Sequence, residues 1–123
     1  NLRVRIPRTT LYTYPDATVA CEALRIDPLD RQGETVLNPT LIVEVLSPST
    51  EAWDRGGKFG SYQQIESLRQ YVLVSADAPL VETFLRQQHG SWLYTAAEGL
   101  DASAMLQSLR IELPLSDRPV AHA

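Results

Sequence analysis

The chain is almost without lysine: Lys58 stands against ten arginines in 123 residues. It has one cysteine, Cys21, and one methionine. A lone thiol excludes an internal disulfide framework and a multi-cysteine zinc site. Cys21 falls in the apolar stretch of residues 17–24, with no activating neighbour, which predicts a buried free thiol. No apolar run approaches the roughly 20 residues that span a bilayer, and no charged-then-apolar leader opens the chain. These features predict a cytoplasmic protein that does not engage a membrane. Gly-rich phosphate loops, Cys/His zinc spacings and nucleophile elbows are missing as well. So is a basic excess. The net charge of −4 argues against binding nucleic acid by charge alone. It leaves room for an enzyme with carboxylates at its centre and arginines around its groove.

What remains is a composition of 44% hydrophobic and 21% charged residues, which predicts one globular domain over residues 1–123 with a real core. The chain opens at Asn1 without an initiator Met and enters an alternating segment at once. That opening predicts a piece of a longer protein.

Residues 3–6, Arg-Val-Arg-Ile, alternate as a half-exposed strand does. Residues 17–24 read as a second strand led in by Pro15-Asp16. Pro28, Gly33 and Pro39, with four charges among them, predict a solvated loop over 27–39. Residues 41–46, Leu-Ile-Val-Glu-Val-Leu, are apolar except for Glu44, as in a central strand covered on both faces. Ser47 to Thr50 then offer turn and helix-capping chemistry, predicting a helix over about 51–66. Within it Phe59, Tyr62, Ile65 and Glu66 recur at helical spacing. Tyr71 to Ser75 is another apolar strand, so the crossover predicts that it runs parallel to 41–46. Residues 80–86 and 91–96 flank Gln88-His89-Gly90 as a hairpin. The tail predicts a helical turn near 102–108 and a strand over 109–113.

Three residues in this layout could carry chemistry. Glu44 inside a buried strand costs several kcal/mol unless a cation, a metal or an exposed edge compensates it. Asp16 follows Pro15, where a turn role competes with that of a second metal-binding carboxylate. Lys58 follows Asp54 by four residues, so a surface helical pair is the plain reading. Its place just beyond the Glu44 strand favours a role over that strand's end. Two carboxylates and an ammonium suit a hard divalent cation and a phosphate charge. If Asp16 and Glu44 share a cation, their nearest oxygens should lie roughly 3–6 Å apart. Tyr62 would share the face of Lys58 but reads first as core. Ser47 could reach a phosphate, although capping is the simpler account. Arg55 sits beside the candidate site, and Arg3, Arg5 and Arg8 cluster near the start. His89 reads as an exposed turn residue, and Trp53 as core rather than a base-stacking group.

Tyr14-Pro15-Asp16, the block Asn38 to Thr50 and Asp54-Arg55-Gly56-Gly57-Lys58-Phe59 resemble the Uma-type restriction endonucleases of the PD-(D/E)XK nuclease superfamily. Leu68 to Val74 and Leu109 to Leu115 are similar to it too. The resemblance implies an α/β (α+β) fold, a restriction-endonuclease-like mixed sheet flanked by helices. It implies Mg²⁺-dependent phosphodiester cleavage, with Mn²⁺ as an alternative ion, DNA as the substrate and a homodimer as one possible assembly. Carried over by position, Asp16, Glu44 and the Val45 carbonyl would hold the metal, with Asp16, Glu44 and Lys58 as the catalytic set. Arg55 and Ser47 would contact the nucleic acid. The superfamily's usual lysine, two residues after the acid, would fall at Leu46, so its role would have moved to Lys58. A competing reading is an idle module that keeps this fold for binding or assembly.

Overall fold

In the computed structural model, residues 3–5, 12–13, 17–21, 25–29, 35–47 and 57–118 are described. The elements are β1 (Arg3–Arg5), β2 (Tyr12–Thr13), β3 (Ala17–Val19), β4 (Thr35–Val36), β5 (Leu41–Leu46), α1 (Phe59–Tyr62), β6 (Gln70–Ser75), β7 (Leu80–Arg86), β8 (Trp92–Glu98), β9 (Ser103–Leu106) and β10 (Ile111–Pro114). Five strands form the main sheet in the order β3-β5-β6-β7-β8. Strand β5 runs parallel to β6, and the other neighbours are antiparallel. A small sheet β2-β1-β4 and the β9–β10 hairpin complete the described topology.

The two apolar strands of the sequence become the middle of this sheet. All of β6 except Ser75 is buried, as an element covered on both faces requires. Side chains alternate between faces, and the register sorts them. One face carries Ile42, Leu46, Tyr71 and Leu73, packed under Phe59, Tyr62, Ile65 and Leu68. The opposite face carries Leu41, Val72, Val74 and Val81, packed against Ala104 and Leu106 of β9 and Leu115 beyond β10. Gln70 is fully buried there. Its amide donates to the Met105 carbonyl and Gln107, and its carbonyl oxygen accepts from the Ser108 backbone and hydroxyl. A buried amide so satisfied fixes the hairpin's position instead of penalising it.

Several expectations needed correction. The helix expected over 51–66 is a single α turn, Phe59–Tyr62, within the described residues, with 51–56 outside them. Beyond it the chain winds through tight turns, Ile65 N–H to the Tyr62 carbonyl and Leu68 N–H to the Ile65 carbonyl. Arg86 of β7 ties these turns down. Its guanidinium donates to the carbonyls of Leu68 at 2.6 Å, Ile65 at 2.9 Å and Gln63 at 3.2 Å, and lies 4.5 Å from the Trp92 ring centroid. That tertiary cation serves carbonyls of the kind that a helix end leaves without intrahelical partners. Burial, and then repulsion from Arg69, lowers its ordinary pKa.

The loop expected over 27–39 contains β4, whose Thr35 and Val36 are buried against the parallel strand β1. The strand expected over 17–24 ends at Val19, and Cys21 at the bend is free but exposed. Residues 103–106 form strand β9 instead of a helical turn. The 80–96 hairpin is present, with Gly90 at φ +85° in its turn, a conformation glycine adopts without Cβ strain.

Because Arg86 binds three carbonyls with a charged fork, Arg86→Ala should lower the unfolding free energy by about 1–3 kcal/mol. Arg86→Lys should recover only part of the loss, since an ammonium cannot reproduce the fork. Urea unfolding followed by circular dichroism measures both. An alanine variant within about 0.5 kcal/mol of wild type would mean that the clamp is not a stabilising one.

Candidate functional site

Glu44 lies in β5 on the face covered by α1 and is only 2% exposed. A buried carboxylate needs partners, and among the described residues Tyr62 and Lys58 converge on it. The Tyr62 hydroxyl donates to Oε1 at 2.9 Å. The Lys58 ammonium meets Oε2 at 3.3 Å, with the lysine side chain 18% exposed. Each is a charge-assisted bond of about 1.5–3 kcal/mol, enough together to offset much of the several kcal/mol that burying the charge costs.

Local backbone explains why these two side chains reach the same acid. Gly57 and Lys58 lead directly into α1, and Lys58 already has helical dihedrals. Tyr62 follows four residues later, so both side chains fall on one face. Tyr62 is fully buried, its ring 5.4 Å from that of Tyr71. Phe59 stacks on Tyr71 at 5.0 Å and touches Phe84 and Trp92 at 4.6 Å and 5.2 Å. The turn carrying Lys58 is thus anchored to β6, β7 and β8 by its own aromatic residue.

Lys58 meets Glu44 among the described residues, whereas the surface pair with Asp54 falls on a residue outside them. Val45 and Ser47 lie next along β5 and at its end, both half-buried. Asp16 and Arg55 lie outside the described residues, and so do Trp53 and His122, so the expected Asp16–Glu44 approach is not part of the described geometry. His89 is exposed, as expected of a turn residue. Among the described residues no group of three or more His, Cys, Asp or Glu side chains gathers as a full metal-binding set. The oxygens of Glu44 and the neighbouring Val45 carbonyl are hard donors of the kind Mg²⁺ uses, and Mg²⁺ commonly takes only one or two carboxylates beside water and phosphate. The donor chemistry fits such an ion, provided a second acid joins it.

Two residues carry more than the sequence reading gave them. Tyr62 reads as core from its spacing, and the ring is core, but its hydroxyl is committed to Glu44. Glu82 of β7 is a second buried carboxylate on the same face, bound by the Tyr94 hydroxyl at 2.6 Å. It shares a register row with Glu44 through Leu73, which places it two strands away, roughly 10 Å. The signal was available, since Leu-Val-Glu-Thr-Phe sets an acid in an apolar strand much as Leu-Ile-Val-Glu-Val does.

A sequence model described as "Uma2: Putative restriction endonuclease" matches residues 1–116. The chain is 38% identical over 117 residues to the Synechocystis protein named "Uncharacterized protein slr1290", covering 92% of this chain and 59% of that one. It is 32% identical over 111 residues to a second Synechocystis protein, "Uncharacterized protein sll1609", covering 90% and 62%. The chain therefore spans about three fifths of the length of these relatives. A crystal structure of a "putative nuclease belonging to DUF820" from Anabaena variabilis superposes with a TM-score of 0.67 at 21% identity, covering 94% of this chain and 63% of the other. That likeness gives the nuclease-like α+β fold, the mixed sheet that the sequence predicts. No helix among the described residues is long and apolar enough to cross a membrane.

Removing Lys58 takes a cation away from a buried carboxylate, so Lys58→Met should cost about 1–3 kcal/mol in metal-free buffer, more than a surface helical pair is worth. Adding Glu44→Gln should restore part of that loss, because the amide needs no counter-charge. Chemical denaturation of the two single variants and the double variant closes the cycle. Losses that simply add would show that Lys58 and Glu44 are energetically independent.

Proposed function

The chain belongs to the Uma2 family, and from that premise we propose that it is a Mg²⁺-dependent endonuclease hydrolysing phosphodiester bonds in DNA. The observation that carries the reading is Glu44, a carboxylate buried in a central strand and facing a lysine at 3.3 Å. In this reading Asp16, Glu44 and the Val45 carbonyl hold the ion, with Mn²⁺ able to replace Mg²⁺. Support for Asp16 comes from connectivity: it precedes Ala17, which lies opposite Val43, the neighbour of Glu44. The bound ion would supply Lewis-acid stabilisation of phosphate charge and lower the pKa of a bound water.

The chain's own groups do the rest. Lys58 holds a positive charge beside the reacting phosphate and orients the attacking water by hydrogen bonding. Hydrolysis adds the water's hydroxyl to phosphorus and leaves a proton on the departing oxygen. Arg55 and Ser47 contact flanking phosphate oxygens, which fix the register of the substrate without reading its sequence. A duplex has two strands to cut, and a homodimer would supply two such sites.

A second reading has its own observation. Glu44 receives a cation and a hydroxyl donor from its own chain, charge compensation of the kind an idle module keeping the fold for assembly would need. The full-length protein incubated with a duplex oligonucleotide in Mg²⁺ or in chelator separates the two. Wild type should cleave only with the metal, Glu44→Gln should not cleave, and Lys58→Ala should lose on the order of 10² to 10³ in rate. Lys58→Ala should also keep or slightly gain metal affinity, since it removes a competing cation. Absence of cleavage in every divalent metal would favour the module, and wild-type rates in Lys58→Ala would remove Lys58 from the mechanism.

A further inference from the structure

We infer that Arg69 and Arg86 form an anion site for a phosphate group, apart from Glu44 and independent of the metal reading. Both guanidinium groups are held at one turn, because they bind the carbonyls of consecutive residues. Arg69 Nη1 donates to the Glu66 carbonyl at 3.0 Å, and Arg86 Nη2 to the Ile65 carbonyl at 2.9 Å. The Arg86 backbone N–H donates to the Arg69 carbonyl at 2.9 Å, which sets the end of β7 beside the start of β6. Two cations are thus brought together, and among the described residues neither meets a carboxylate. Glu66 offers Arg69 its backbone oxygen and no ion pair.

The donors left over point the same way. Nε of Arg86 is taken by the Leu68 carbonyl and Nη2 by those of Gln63 and Ile65, while the Trp92 ring centroid lies 4.5 Å from Cζ. Nη1 donates no hydrogen bond among the described residues. Three carbonyls and an aromatic face therefore fix the guanidinium plane, and with it the direction of Nη1, before a ligand arrives. Arg69 is exposed and uses only its own Nη1, so its Nε and Nη2 can join. Carbonyl dipoles carry partial charge alone, and burial and the Arg69 charge both disfavour the Arg86 cation. An anion would relieve both. Arginine forks match phosphate oxygens, and the bonds they make are charge-assisted. Arg86 lies four residues beyond Glu82 on β7, and Glu82 two strands from Glu44, so the site is roughly 16 Å from that acid. Free phosphate and a nucleic-acid phosphodiester share the chemistry this site would recognise.

Inorganic phosphate titrated into the full-length protein in metal-free buffer, with ionic strength held constant by chloride, tests the site through its N–H resonances. The Nε–H signals of Arg69 and Arg86 and the Trp92 indole should shift together and saturate. Arg69→Gln should weaken this binding on the order of tenfold, the factor for one charge-assisted hydrogen bond, and Arg69→Lys should lose less. Shifts that never saturate, or wild-type affinity in Arg69→Gln, would overturn the inference. If Arg69→Gln does not fold, Arg86→Lys keeps the charge and removes Nη1, and the same weakening is expected. Unchanged affinity there counts equally against the site. A short duplex added to the phosphate-saturated protein separates the two sources. Displacement of phosphate, with both arginines shifting again, assigns the site to a nucleic-acid backbone, and phosphate binding untouched by duplex assigns it to the free anion. No metal enters these titrations, so their failure leaves the reading of Glu44 standing, and failure of that reading leaves the arginine site standing.

Discussion

A negative charge buried in the second strand of a five-stranded sheet is the constraint on which this structure turns. Glu44 cannot be solvated at 2% exposure, so its neighbours must supply what water would. The crossover between the parallel strands β5 and β6 does so, bringing Lys58 and Tyr62 to the two carboxylate oxygens. Such a crossover is obligatory for a parallel pair. Here the connection that topology demands is also the source of the acid's partners.

Holding that connection in place falls to groups farther along the chain. Phe59 sits among Tyr71, Phe84 and Trp92, and Arg86 ties the turns after Tyr62 to β7. On the other face the β9–β10 hairpin covers Val72, Val74 and Val81, with Gln70 anchoring its turn. The division is physical. One face is closed by apolar packing, and the other by a layer that mixes aromatic rings with buried carboxylates. Both Glu44 and Glu82 lie on the mixed face, each bound by a tyrosine hydroxyl.

Much of this was legible in the sequence where the signal was local and strong. Residues 41–46 and 71–75 announce buried strands through continuous apolar character, and the 80–96 hairpin through alternation around a Gly-containing turn. The acid in β5 and the lysine beyond it were legible as a pair of interest, although helical spacing alone would have matched Lys58 with Asp54. Illegible were features set by distant partners. The turns after α1 are tied down by Arg86, which lies more than twenty residues later. Thr35 and Val36 become a strand because β1 is there to pair with. Residues 103–106 carry a strand because β10 follows and the sheet lies beneath. Cys21 sits in apolar sequence yet at a bend after β3 ends, where the chain turns its side chain outward. The Tyr62 hydroxyl bond could not be read from spacing, which reports a face and not the atom at its tip.

The central claim is that Glu44 is a cation's ligand beside the lysine that faces it. Diffraction from crystals of the full-length protein soaked in Mn²⁺, collected for anomalous signal, tests this directly. The account predicts an anomalous peak at ordinary metal–oxygen distance, about 2.0–2.2 Å, from a Glu44 carboxylate oxygen. A peak elsewhere, or none with Lys58 still closed on Glu44, would contradict it and make the pair a structural one.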